Sequence, residues 1–241
     1  GNSIPLDDES LSYLRLGTYE LGTNSVEHGD FSQGDAEARL IVVVSTDHLQ
    51  VTYWDNAREF CTITREHIDI ADNIRTGRKR GLGLYLLQKI TKDLQYERDD
   101  GWNRTTFKIS RGKIVNQEWY RRVKMNNLSI TTTPTGKKDT AVVKPAGSIN
   151  SSTVPQLDSC FGKLVGLGTT TIVVDLSETE FISSSGVGLL LGSVSSLRER
   201  GGDLMLMNIP SLINDIFDIL NIKMHFHIIE SLDELKTADK S

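Results

Sequence analysis

The segment TIVVDLSETEFISSSGVGLLL, residues 171–191, decides the fold of the C-terminal half of the chain. Its apolar run at 172–174 is typical of a strand buried on both faces of a sheet, and the residues from 186 onward predict a helix. Long helices between strands require crossover connections, which favour a parallel or mixed sheet. We therefore predict an α/β domain with strands at 128–132, 140–144, 170–176, 204–207 and 226–229 and helices at 154–165, 186–200 and 210–220.

Three consecutive serines, Ser183, Ser184 and Ser185, stand where this strand-to-helix connection ends. Serine is a preferred N-cap because its oxygen accepts from the unpaired amides of the first helical turn, so the run can be purely structural. The same amides, at the positive end of the helix dipole, would also hold a phosphate. A phosphoserine there would present about 1.5 to 2 negative charges to a partner docked on the helix. The spacing alone leaves both interpretations open.

The C-terminal half resembles the STAS domain, which sulfate-transporter tails share with anti-sigma-factor antagonists. The resemblance implies an anti-sigma factor or a related switch protein as partner. Antagonists of this family typically carry Asp-Ser-Ser-Gly or Asp-Ser-Thr-Gly, which implies phosphorylation at Ser184 or Ser185. Ser183 stands where the family has the aspartate. The matching segments are AGSIN (146–150, where the family commonly has a glycine-led Gly-x-Leu-Asp), VVDLS (173–177), FISSSGVG (181–188), RERGGDLML (198–206) and IIESLDEL (228–235).

The N-terminal half is predicted to run helix, strand, strand, loop, helix and strand. Two β-rich runs, 40–44 and 50–54, predict a hairpin with His48 in its connection. A polar stretch, 58–80, separates this hairpin from a helix predicted over 82–94 and a strand over 105–109. In the first helix, the polar residues Glu20, Asn24 and His28 recur every four positions and so share one face. Taken alone, such a stripe is typical of a solvated helix face.

Several motifs follow this stripe in order, and together the set resembles the ATP-binding domain of gyrase and the histidine kinases. The most similar branch is the anti-sigma-factor serine kinases, whose Glu-x-x-x-Asn-x-x-x-His box matches residues 20–28. The resemblance implies ATP and Mg²⁺ as cofactors. Glu20 would be the general base, Asn24 would be a Mg²⁺ ligand, and Asp55 would accept from the exocyclic amine of adenine. It assigns the other nucleotide contacts to His28, Ala57, Lys79, Arg80, Gly81, Gly83 and Thr105, with Arg78 also in the lid.

The resemblance also sets an expectation for the shape of the N-terminal domain. The family begins with a strand and a helix before the Glu-Asn box, but only residues 1–10 precede the box helix here. We expect an α+β two-layer sandwich that is shortened at its N-terminus. A missing strand would expose a sheet edge, which a homodimer would cover.

Length and composition fit two domains. We predict an ATP-binding domain at 1–112, a linker at 113–127 and the STAS domain at 128–241. The formal net charge of −5 gives no support for direct nucleic-acid binding. The two cysteines lie in different halves and form no metal or disulfide framework, so we expect a reducing cytoplasm. No apolar run is long enough to predict a membrane span.

Two functions fit these observations. In the first, the chain is a signalling protein in which a serine-kinase-type ATPase domain phosphorylates Ser184 or Ser185, either in the same chain or in a sister chain. In the second, the N-terminal half is a degenerate docking or dimerisation module and the STAS domain acts as a non-enzymatic antagonist. The Glu20-Asn24 pair favours the first function. The second is favoured by the shortened N-terminus, by Ser183 and by Ala57, which stands where the family has a glycine two residues after the adenine aspartate.

Overall fold

The computed structural model describes residues 6–31, 34–58, 82–111, 127–137 and 139–237. They form two compact units, one drawn from 6–31, 34–58 and 83–111 and the other from 127–137 and 139–237. The linker predicted over 113–127 lies outside the described residues except for Asn127. The predicted domain limits therefore stay a prediction.

The N-terminal unit packs helices on one face of an antiparallel sheet. Its elements are α1 (Asp8–His28), β1 (Ala38–Val44), β2 (His48–Asp55), α2 (Leu82–Ile90), β3 (Lys92–Asp99) and β4 (Trp102–Ser110). The four strands run in the order β1-β2-β4-β3. Helix α1 begins at Asp8 because the Asp7 carboxylate accepts from the Ser10 amide at 2.8 Å. The core holds Leu21, Leu49, Val51, Tyr53, Leu87, Phe107 and Ile109.

Two sequence predictions for this unit were wrong. The helix predicted over 82–94 ends at Ile90, and the chain then forms a strand, β3, that the sequence analysis missed. Strands β3 and β4 join through Asp100 and Gly101, whose φ angles of 45° and 82° fit the tight turns that match strand twist. His48 is the first residue of β2 and not part of a connection.

The C-terminal unit is built on a mixed sheet. Its elements are β5 (Leu128–Pro134), β6 (Thr140–Ile149), α3 (Val154–Gly166), β7 (Thr171–Asp175), β8 (Thr179–Ile182), α4 (Ser184–Arg198), β9 (Asp203–Met207), α5 (Ser211–Ile219), a 3₁₀ turn (Lys223–His225), β10 (His227–Ile229) and α6 (Glu234–Thr237). The strand order is β10-β9-β7-β6-β5, and β8 also pairs with β6. Only the β5–β6 pair is antiparallel among the described strands of this sheet. The α/β fold class with a mixed sheet is thus confirmed.

Burial in this unit follows the sequence pattern. Residues 172–174 of β7 are fully buried, as the continuous apolar run predicted. The strand β8 was not predicted, because its four residues were taken as the approach to the next helix. Gly147 on β6 has a φ of 109°, and a Cβ there would lie 2.3 Å from the Asn127 carbonyl oxygen. Only glycine fits that position.

Candidate functional site

The serine run forms the start of α4. Ser183 is the N-cap residue: it is fully buried, and its Oγ accepts from the Gly186 amide in a long cap bond of 3.5 Å. The Ser183 amide donates to the Ile149 carbonyl oxygen at 2.9 Å, which ties the cap to the end of β6. Ser184 and Ser185 follow as the first helical residues, and both are half-buried. The structure therefore has the capping role at Ser183 alone.

Ser184 and Ser185 both follow the cap residue in the first turn of α4. The Ser185 Oγ lies 2.7 Å from the Ser183 Oγ, so its hydroxyl is bonded to a buried group. Both Ser184 and Ser185 lie in this turn, where backbone amides lack helical acceptors and the helix dipole favours negative charge. A phosphate on either oxygen would be stabilised at this end of the helix.

Gly186 explains why the helix starts so close to the sheet. A Cβ at this position would lie 2.8 Å from the Ile149 carbonyl oxygen, from an Ile149 methyl and from an Ile182 side-chain carbon. Real Cβ contacts are never this short, so the first turn of α4 packs against β6 and β8 only because the side chain is absent. This close packing fixes the position of the preceding serines.

Asn150 follows β6. In the segment AGSIN (146–150) it stands where the family commonly has the aspartate of Gly-x-Leu-Asp. It is fully buried, and its Oδ1 accepts from the Ser152 amide at 3.1 Å and the Ser152 hydroxyl at 2.7 Å. Because Ser183 also replaces a family aspartate, positions 150 and 183 are both uncharged here. Asn150, next to Ile149, and Ser183 are thus both neutral where the end of β6 meets the start of α4.

A buried aspartate marks the carboxyl end of β7. Asp175 Oδ1 accepts from Asn208 Nδ2 at 3.0 Å and from the Ser177 amide at 3.0 Å. Burial alone would raise the pKa of the Asp175 carboxyl, but the hydrogen bonds from Asn208 and Ser177 outweigh it and hold the pKa below its usual value. The bond to Asn208 joins the ends of the neighbouring strands β7 and β9.

In the N-terminal unit, the polar stripe lies on α1. Glu20 is 3% exposed, Asn24 is half-buried and His28 is exposed, so burial decreases towards the helix end. Ser25, next to Asn24, donates from its Oγ to Asp55 Oδ2 at 3.0 Å. This contact brings the C-terminal part of α1 against the end of β2.

Asp55 is the centre of a buried polar network. Its Oδ1 accepts from Asn103 Nδ2 at 2.7 Å and from the Ala57 amide at 3.1 Å. Tyr53 donates its hydroxyl to the Ser25 Oγ at 3.0 Å. Burial raises the pKa of Tyr53, and the Asp55 carboxylate adds to the rise although the bond to Ser25 opposes it, so the phenol stays a donor.

Ala57 occupies the position where the resemblance led us to expect glycine. It is buried, and its backbone φ is outside the left-handed region that would require glycine. Its carbonyl oxygen accepts from Arg98 Nη1 at 2.9 Å. The alanine is therefore accommodated without backbone strain.

The remaining predicted nucleotide residues are spread over two elements and a segment that is not described. Thr105 is buried on β4, opposite Tyr53, and Gly83 is buried in the first turn of α2. Arg78, Lys79, Arg80 and Gly81 lie outside the described residues. The structure thus joins Asp55, Ala57 and the α1 end into one region, and the roles of the individual residues stay predictions.

Comparison with known proteins assigns both units. The family model for the histidine kinase-like ATPase domain matches residues 2–109, and the model for the STAS domain matches residues 132–235. The chain joins a histidine kinase-like ATPase domain to a STAS domain. The STAS domain also carries the similarity to single proteins. The anti-sigma-B factor antagonist of Staphylococcus aureus is 29% identical over 107 residues, which are 44% of this chain and 97% of that protein.

Two further comparisons concern the same domain. The anti-sigma-B factor antagonist of Staphylococcus epidermidis is 28% identical over 91 residues, covering 38% of this chain and 84% of the relative. An anti-sigma factor antagonist from Mycobacterium paratuberculosis superposes with a TM-score of 0.41 at 20% identity, covering 50% of this chain and 100% of that one. Unphosphorylated SpoIIAA, an anti-sigma factor antagonist, superposes with a TM-score of 0.40 at 20% identity, covering 48% and 98%.

The described part of the ATPase domain fits an adenine nucleotide. A carboxylate offers about four acceptor positions, and the donors from Ser25, Ala57 and Asn103 occupy three of those of Asp55, leaving one for a ligand. No group of three or more acidic, His or Cys side chains is placed to hold a metal within the described ranges. Mg²⁺ bound with a nucleotide takes mainly phosphate oxygens and waters, so the single amide oxygen of Asn24 suits it.

Sequence reasoning missed the residues that support Asp55. No motif in the sequence assigned a role to Asn103, Arg98, Tyr96 or Ser25. One signal was present: Asn103 falls in the buried phase of β4, where Thr105, Phe107 and Ile109 follow at alternate positions. A polar residue in that phase indicates a buried hydrogen-bond partner. Elsewhere, none of the described helices is long and apolar enough to cross a membrane.

Proposed function

We propose that the chain is a cytoplasmic partner-switching regulator, in which the ATPase domain is a serine kinase and the STAS domain is an anti-sigma-factor antagonist controlled by phosphorylation. The observation that carries this proposal is the serine run at the start of α4, because it offers half-buried hydroxyls beside helix amides that would hold a phosphate. The matched relatives are named as antagonists of an anti-sigma factor, which gives the class of partner.

In this proposal the ATPase domain binds the nucleotide and the STAS domain supplies the serine that is phosphorylated. Bound ATP with Mg²⁺ would supply the phosphoryl group. Asp55 would accept from the adenine amine, and Asn24 would offer its amide oxygen to the metal. Glu20 would take the proton from the attacking serine hydroxyl as the phosphoryl group leaves ADP. Ser184 and Ser185 are the candidate acceptors, because both are half-buried residues in the first turn of α4. The new charge at α4 would then change the affinity of the STAS domain for its partner.

The test is incubation of the purified chain with Mg²⁺-ATP, followed by intact-mass and peptide mapping. Glu20→Gln removes the proposed base while keeping its shape, and Glu27→Gln makes the same change at an exposed position of the same helix. Phosphate at Ser184 or Ser185 in the wild type and in Glu27→Gln, but not in Glu20→Gln, supports the proposal. A rate per chain that rises with protein concentration indicates transfer between chains, and a constant rate indicates transfer within one.

The opposite result is equally clear. If no phosphate forms and calorimetry detects no nucleotide binding, the kinase proposal fails. The N-terminal domain is then a docking or dimerisation module beside a non-enzymatic antagonist. Phosphate that persists in Glu20→Gln at the wild-type rate would remove the role of Glu20.

We also propose that the chain forms a homodimer through β1, an edge strand of the described sheet. Leu40, Ile41 and Val43 on this strand are 49–53% exposed, and an unprotected apolar edge favours pairing with another strand. Ile41→Lys places a charge on the edge and is expected to give a monomer by light scattering. A wild-type chain that stays monomeric when its concentration is raised 100-fold would contradict the proposed dimer.

A further inference from the structure

We propose that Asn103 is a positioning residue, which holds Asp55 in the orientation that reads the amino group of adenine. The inference rests on the proposed nucleotide binding and deepens it. Asn103 lies on β4 directly opposite Asp55, on the buried face of the sheet, and is 3% exposed. It was not among the residues predicted from sequence.

The Asn103 amide can point only one way. Its Oδ1 accepts from the Tyr96 hydroxyl at 2.7 Å and from Arg98 Nη1 at 2.6 Å. Both partners are donors, so a flipped amide would face them with its own NH₂ group and face Asp55 with an oxygen. The Nδ2 group therefore donates to Asp55 Oδ1, at 2.7 Å.

The same residues fasten the turn after β2. Asn103 Nδ2 lies 3.2 Å from the Ala57 carbonyl oxygen, which also accepts from Arg98 Nη1 at 2.9 Å. The Ala57 amide in turn donates to Asp55 Oδ1. Oδ1 of Asp55 thus accepts from Asn103 on β4 and from Ala57 in the turn after β2. Its Oδ2 accepts from Ser25 on α1.

This arrangement leaves one acceptor position, on Oδ2, where Ser25 is the single donor. Adenine presents an amino donor at its 6-position, whereas hypoxanthine presents an oxygen there. A carboxylate with its Oδ1 occupied and its Oδ2 open binds the first and repels the second. Discrimination between the two bases therefore depends on donors that prevent the carboxylate from rotating, and Asn103 is the donor with the shortest bond.

The experiment measures ADP and inosine diphosphate affinities by calorimetry with Mg²⁺, for the full chain and three variants. Asn103→Asp replaces the donor with an acceptor of the same size, and we expect the ADP preference to fall at least tenfold. Gln95→Glu makes the same amide-to-carboxylate change on an exposed residue of β3, and should keep the wild-type preference. Arg98→Gln removes the guanidinium that donates to the Asn103 oxygen. Arg98 itself is exposed, and its replacement should lower the preference for ADP about threefold.

Each outcome decides one point. Loss of preference in Asn103→Asp with Gln95→Glu unchanged supports the positioning role. An unchanged preference in Asn103→Asp overturns it while nucleotide binding stands. Where Asn103→Asp does not fold, Arg98→Gln decides, since a folded Arg98→Gln protein with full preference also overturns it. A wild type that binds neither nucleotide removes both this inference and the proposed function, and equal binding of both nucleotides removes this inference alone.

Discussion

Replacing Gly186 with alanine tests whether close packing sets the start of α4. The new Cβ would lie 2.8 Å from the Ile149 carbonyl oxygen and from two side-chain carbons of Ile149 and Ile182. Overpacking of this kind costs about 1–3 kcal/mol, and the backbone oxygen cannot rotate away. Alanine gains at most about 1 kcal/mol in helix propensity. We expect Gly186→Ala to destabilise the STAS domain by about 1–2 kcal/mol.

Gly192 on the same helix is the matched control. A Cβ there meets no atom within 4 Å, so Gly192→Ala should gain about 0.5–1 kcal/mol from helix propensity alone. The two variants should then differ by about 2 kcal/mol, or roughly 10 °C in melting temperature for a domain of this size. Thermal unfolding by circular dichroism measures this gap.

Tryptophan fluorescence separates the domains in the same sample. The three tryptophans are Trp54, Trp102 and Trp119, and all lie outside the STAS domain. The fluorescence transition should therefore stay unchanged in both variants while the STAS transition moves. Equal melting temperatures for Gly186→Ala and Gly192→Ala would refute the packing argument.

Three further predictions concern single side chains. Phe107→Ala, in the ATPase core, should cost about 3–5 kcal/mol and lower the unfolding midpoint seen by tryptophan fluorescence in urea. Asn208→Gly keeps the positive φ of 55° but removes a donor to Asp175, so the Asp175 pKa should rise in an NMR titration. Because the pKa of Asp175 is depressed in the folded state, the ionised carboxylate stabilises the fold above about pH 4. In that range the free energy of unfolding of the variant should be about 1.5–3 kcal/mol lower than that of the wild type. The difference should shrink as the pH falls through the folded pKa. Ser183→Ala removes the α4 N-cap and should cost about 1–2 kcal/mol in chemical denaturation, whereas Ser184→Ala should cost less than half of that.

The elements that the sequence predicted well are those with strong periodic burial. Residues 172–174 had to be buried on both faces, and the structure has them so. Strand β3 was missed because its sequence KDLQYERD is charged and only Leu94 and Tyr96 are half-buried. The Asp100-Gly101 turn was the stronger signal for this hairpin, and it was present in the sequence.

The candidate site, too, could be predicted only in part from the sequence. The resemblance of the motifs to known families was enough to nominate Glu20, Asn24, Asp55 and the serine run. The contact between Asp55 and Asn103 depends on the register of β2 against β4, which joins residues 48 positions apart. Such a pairing follows from how the strands align across the sheet, and no local pattern in either strand determines it.

The neutral residues at positions 150 and 183 have a consequence for how salt would affect this regulator. Because Asn150 and Ser183 are uncharged, these two positions present no negative charge to a partner before phosphorylation. Binding through this region before modification should therefore depend less on ionic strength than binding after phosphorylation. After phosphorylation, the same region would carry about 1.5–2 negative charges, which counterions screen over about 8–10 Å in physiological buffers. A salt titration of partner binding would thus read the phosphorylation state of α4 directly.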